Sequence, residues 1–168
     1  DYLRCGAIAK FSPMMQSVIE FANKGGKVLG VCNGFQILCE AGLLPGALLK
    51  NSNQQFICKN VHIIGSEGKA LKIPIAHGEG RYYANAETMK ELVENQQIIY
   101  RYCDTNGIIN EAANPNGTAD NIAGICNKQR NVFGMMPHPE RAADRQLNNE
   151  DGKLIFESLL KSTSINGL

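Results

Sequence analysis

Cys32 stands in Gly30-Val31-Cys32-Asn33-Gly34, a G-x-C-x-G run. It is the thiol counterpart of the G-x-S-x-G elbow, in which a sharp strand-to-helix turn lifts a nucleophile clear of its own backbone. The flanking pattern fits that use. Val28-Leu29-Gly30-Val31 reads as a strand, and Phe35, Leu38 and Ala41 recur at helical spacing up to Gly42. The turn between them is only about two residues long. A helix starting just after Cys32 points its free N–H groups and positive dipole end at the sulfur, which favours a thiolate and gives an oxyanion a place to sit. A bare G-x-C-x-G also surrounds buried structural cysteines, so the context has to decide.

Pro137-His138-Pro139-Glu140 is that context, directly after an apolar strand pattern. A residue before proline is pushed towards extended backbone, where positions i and i+2 share a side. His138 and Glu140 are therefore expected to lie together, with the carboxylate orienting the imidazole as the third member of a triad. His62, inside a strand pattern, reads as structural. With only three histidines, six scattered cysteines and no C-x-x-C or H-x-x-x-H spacing, a zinc site is not expected.

The elements that must position these groups are mixed α and β. A first helix is capped by Ser12, with Pro13 at its first position and Met14, Met15, Val18, Ile19 and Ala22 at helical spacing before Gly25-Gly26. Strands are expected at 56–64, 70–76 and 97–103, with a helix capped by Asn85 between the last two. Asn121 to Cys126 and Asn131 to Met136 read as a hairpin, which would make the sheet antiparallel at one edge. Asn114-Pro115-Asn116-Gly117 has turn chemistry, and a closing helix carries Leu154, Ile155, Phe156, Leu159 and Leu160.

The 168 residues suit one domain, 43% apolar and 20% charged, with a formal charge of +1 and no charge block. That excludes a disordered chain and gives no footprint for nucleic acid or an anionic membrane. No apolar run approaches the roughly 20 residues that span a bilayer. Scattered thiols in a chain this long fit a reduced, cytoplasmic protein. The expectation is one three-layer α/β domain over 1–168.

The segments VLGVCNGFQIL, GLLPGALLKN, PIAHGEGRYY and GMMPHPERA together resemble the triad (class I) glutamine amidotransferase family, over essentially the whole chain. C-N-G-F-Q, A-H-G-E-G and M-M-P-H-P-E-R point within it to the glutaminase branch of phosphoribosylformylglycinamidine synthase. The resemblance implies a flavodoxin-like three-layer fold with a mixed central sheet, and glutamine hydrolysis by Cys32, His138 and Glu140. It also implies substrate contacts at Gln36, Asn33 and Gly34, with His77, Glu79 and Arg81 at the pocket or at a partner interface. The family implies no cofactor here, but a synthetase partner using ATP and magnesium that receives the ammonia, and a small accessory subunit. Relative to the family, N-terminal strands and a glycine loop supplying a second oxyanion donor are expected ahead of Asp1, and the 63–68 loop is short. Other readings of the same residues are a γ-glutamyl hydrolase or peptidase-like cysteine hydrolase, and a binding module without turnover. Tyr82 and Tyr83, beside Arg81, are candidate interface residues.

Overall fold

The computed structural model describes residues 8–161. Helix α1 (Pro13–Asn23) begins as its sequence requires, with the Ser12 hydroxyl accepting from the Met15 N–H at 3.3 Å. Strand β1 (Val28–Val31) leads into α2 (Asn33–Glu40), so the turn between them is Cys32 alone. Next come β2 (Ala47–Leu49), β3 (Ile57–Ile64), β4 (Ala70–His77) and β5 (Arg81–Tyr83). Helix α3 (Ala86–Glu94) is capped by the Asn85 side chain, which accepts from the Thr88 N–H at 2.8 Å. Strands β6 (Ile98–Cys103), β7 (Ile122–Cys126) and β8 (Val132–Met135), a 3₁₀ turn at Pro139–Ala142 and helix α4 (Asp151–Lys161) complete the described chain.

Six strands form one sheet in the order β1-β8-β7-β6-β3-β4, and β2 and β5 pair separately. The β7–β8 hairpin forms as expected, but it lies inside the sheet and not at an edge. Only β1–β8 is parallel, while all four remaining pairs are antiparallel. The local pattern specifies the hairpin, but its neighbours are set by longer pairings, β6 beside β7 and, from Val28 to Val132, β1 beside β8, which short-range signals do not carry. Following the pairings, β1, β8, β6 and β4 all run in one direction, so Cys32, Met136, Cys103 and His77 end at the same margin of the sheet.

Two apolar layers sandwich the sheet. On one face Ala22, Phe35, Leu38, Tyr82 and Leu92 from α1, α2, β5 and α3 pack over Ile122, Ile125 and Val132. On the other, Ile155 of α4 and Ala142 cover Ile63, Ile73, Ile75, Tyr102 and Met135. The expected three layers are present. Of the apolar residues assigned to α1, Met15 and Ala22 are buried while Met14 is 72% exposed. The stretch from Asp1 to Phe11 reads as no strand in the sequence, and residues 1–7 of it lie outside the described residues.

Two glycines explain how α2 reaches the sheet. Gly30 and Gly134 are register partners on β1 and β8. A Cβ on Gly30 would sit 2.5 Å from Leu38 Cδ1 and 2.6 Å from the Gly34 carbonyl carbon, and one on Gly134 would sit 2.2 Å from the Phe35 ring. Together they leave a trough into which the first turn of α2 sinks.

Candidate active site

Cys32 has φ 53° and ψ −107°, a left-handed backbone that a non-glycine residue adopts at a cost of about 1–3 kcal/mol. Its neighbours hold it there. Its N–H donates to the Met135 carbonyl at 2.8 Å, and its own carbonyl accepts from Phe35 and Gln36 at 3.0 and 3.2 Å. The side chain is buried, and the thiol donates to the Ala76 carbonyl at 3.7 Å. The elbow therefore requires Gly30, whose Cβ would strike the turn, more than Gly34, where a Cβ would meet nothing within 4 Å among the described residues.

His138 is buried and Glu140 exposed, and they meet as expected, with Nδ1 2.6 Å from Glu140 Oε1. The backbone route differs from the extended one. Pro139 starts a 3₁₀ turn, and the carboxylate comes back to the ring from inside that turn. The Gly152 backbone lies against the same turn, where a Cβ would be 2.0 Å from the Pro139 carbonyl oxygen. The His138 N–H donates to the Pro74 carbonyl at 2.8 Å, tying this segment to β4. In the neutral ring the nitrogen facing the carboxylate, Nδ1, carries the proton, and Nε2 is then the acceptor. That atom is buried without a hydrogen-bond partner among the described residues.

The A-H-G-E-G segment forms the adjoining wall. His77 is fully buried, not at a surface. Its Nδ1 lies 3.0 Å from Asn51 Oδ1, and the Asn51 amide donates to the Gln55 and His77 carbonyls, both at 2.8 Å. With both amide hydrogens spent, Oδ1 can only accept, so His77 Nδ1 is the donor. The Gly80 N–H also donates to that oxygen, at 3.2 Å. Burial, and then the neighbouring His138, lower the pKa of His77 from 6.5 to about 4, so its Nε2 is also a bare acceptor. Gln36 is buried and donates from Nε2 to the Glu79 carbonyl at 2.7 Å, clamping this turn to α2.

Glu79 and Arg81 are half-buried, and Arg81 Nε donates to the Lys50 carbonyl at 2.9 Å. Tyr82 is not an interface residue. It is 1% exposed, its ring stacks on Phe35 with centroids 5.9 Å apart, and its hydroxyl donates to the Pro45 carbonyl at 2.9 Å. Tyr83 alternates to the outside, as strand geometry requires. Sequence reasoning missed Asn51, which reads as an ordinary turn residue; its position in the GLLPGALLKN segment was the one available signal. It also missed Tyr102, whose buried hydroxyl has no partner among the described residues and whose ionisation is opposed by burial and by the nearby Cys32. A cavity of about 460 Å³ opens elsewhere, among Ser66, Tyr100, Arg101 and Ser158, and includes none of these groups. No cluster of three metal-ligating side chains occurs among the described residues.

Residues 5–157 match the model of the CobB/CobQ-like glutamine amidotransferase domain. The chain is 52% identical to the phosphoribosylformylglycinamidine synthase subunit PurQ of Acaryochloris marina, over all of this chain and 76% of that protein. It is 53% identical to PurQ of Gloeobacter violaceus, over 96% of this chain and 75% of that protein. The chain belongs to the PurQ family of glutamine amidotransferases. The solved structure of PurLQS from Thermotoga maritima agrees, with a TM-score of 0.80 and 38% identity over 98% of this chain and 74% of that one. A second glutamine amidotransferase from T. maritima, 14% identical with a TM-score of 0.52 over 99% of this chain and 63% of that one, shares the fold. The class I amidotransferase fold expected from the motifs is thus the observed one. No helix among the described residues is long and apolar enough to cross a membrane.

Proposed function

We propose that this chain hydrolyses glutamine with Cys32, His138 and Glu140 and supplies the ammonia to a phosphoribosylformylglycinamidine synthetase partner in purine biosynthesis. The observation that carries the reading is the His138–Glu140 pair at 2.6 Å, with its bare Nε2 at the sheet margin that also carries the strained Cys32 elbow. His138 Nε2 takes the thiol proton, and the Cys32 sulfur attacks the side-chain carbonyl carbon of glutamine. The oxyanion is met by the N–H of Asn33, at the start of α2. As the C–N bond breaks, the proton on His138 goes to the departing nitrogen and a thioester remains on Cys32. His138 then takes a proton from water, whose oxygen displaces the thiolate and yields glutamate. Glu140 holds the ring through both proton transfers.

Gly34 leaves open space beside the nucleophile for substrate, and Gln36 fixes the 78–80 turn that walls it. This chain uses no cofactor of its own, ATP and magnesium belonging to the synthetase, and a small accessory subunit completes the assembly. The T. maritima PurLQS complex supports a multi-subunit setting. The test is Cys32→Ser in the full-length subunit with its synthetase. Glutamine-dependent turnover should fall by about 10⁴ or more, the scale for losing a nucleophile, while turnover with added ammonium persists. Undiminished glutamine-dependent turnover would refute the assignment.

A further inference from the structure

Two buried imidazoles at one sheet margin present the same unusual face. His138 and His77 each commit Nδ1–H to a neighbour, Glu140 and Asn51, and each leaves Nε2 buried without a hydrogen-bond partner among the described residues. They are close enough that charge on His138 disfavours charge on His77. An orphaned buried acceptor is destabilising, and two in one corner call for a small molecule rich in N–H or O–H donors. Glutamate, whose side chain offers only acceptors, does not answer that call. Ammonia does, with three N–H groups.

We propose that His77 is a positioning residue that holds the ammonia released at Cys32, its Nε2 accepting one N–H beside His138. The inference rests on the glutaminase reading. After His138 has given its proton to the leaving nitrogen, the product is neutral and is useful to a synthetase only while it remains so. His77 accepts a hydrogen bond without transferring a proton, and at neutral pH it has none to give on Nε2. Its ring is locked for this task, because Gly80 lies so close that a Cβ there would be 2.3 Å from Nδ1.

The experiment uses the full-length subunit complexed with its synthetase and measures glutamate formed and amidated product formed in the same reaction. His77→Asn keeps a donor for Asn51 Oδ1 and deletes the Nε2 acceptor, and His77→Phe keeps the ring volume under Gly80. In the wild type the two products should match. In both variants amidated product per glutamate should fall by about fivefold, the scale of one lost hydrogen bond, and added ammonium should restore synthetase turnover to the wild-type level. A ratio that stays matched, or equal losses of both products, would overturn the role of His77. A wild-type complex that makes no glutamate from glutamine would instead overturn the glutaminase reading.

Discussion

The elbow around Cys32 and the corner around Asn51 adjoin one another but are built in opposite ways. The elbow is continuous in sequence: β1, Cys32 and α2 occupy residues 28–40, and the strain at Cys32 is held chiefly by bonds within that run and one to Met135. The corner gathers Asn51, Gln55, His77, Gly80 and Asn116 from three separated segments through a single buried amide. A local device is robust because few contacts must form together. A distributed one fails as a unit when its hub is removed.

The largest effect is therefore expected at the hub. Asn51→Ala orphans the His77 and Gly80 N–H groups and two carbonyls, and should cost about 3 kcal/mol by denaturant unfolding, the upper end for buried groups left unpaired. Cys32 should still react with a small alkylating agent at close to its normal rate, since the elbow stands without the corner. Loss of that reactivity would show that the two regions are one cooperative unit.

Acid probes the corner without mutation. The pKa of His77 falls from 6.5 to about 4 on folding, so between those values the unfolded chain binds more protons and stability drops as pH falls. With each pKa unit worth about 1.4 kcal/mol, the loss attributable to this residue should approach 2–3 kcal/mol by pH 4. Unfolding measured from pH 7 to pH 4 should show a shallower slope in His77→Asn; an equal slope would assign the acid sensitivity elsewhere.

The elbow is tested at its seat. Gly134→Ala drives a methyl into the Phe35 ring and should cost about 2 kcal/mol, in the range for overpacked cores. By lifting α2 it should also slow labelling of Cys32 by a glutamine-mimicking electrophile. In the unmodified full-length protein Cys32 should label ahead of Cys39, Cys103 and Cys126, because burial pushes those three thiols up, Cys103 to about 11. Mass spectrometry that found any of them modified first would remove the nucleophile assignment. The smallest effect is expected between the regions, where Tyr82→Phe loses one bond to Pro45 and should cost about 1 kcal/mol.

Elements whose signals are local can be read from the chain before it is folded. Ser12 and Asn85 cap the helices their positions promise, the hairpin closes over residues 122–135, and Cys32 stands at a strand-to-helix turn. The pairing of His138 with Glu140 was legible for the same reason, two residues apart, although a 3₁₀ turn and not an extended strand brings them together. Motif resemblance added the family and the fold. Everything that depends on distant segments meeting had to wait for the folded chain. The hairpin lies inside the sheet because β1 pairs with β8 across about a hundred residues, and β2 and β5 are strands only because they found each other, being too short at three residues each to announce themselves. Tyr82 turned inward on Phe35 and His77 was sealed behind Asn51, because burial belongs to neighbours in space and no window of sequence contains them.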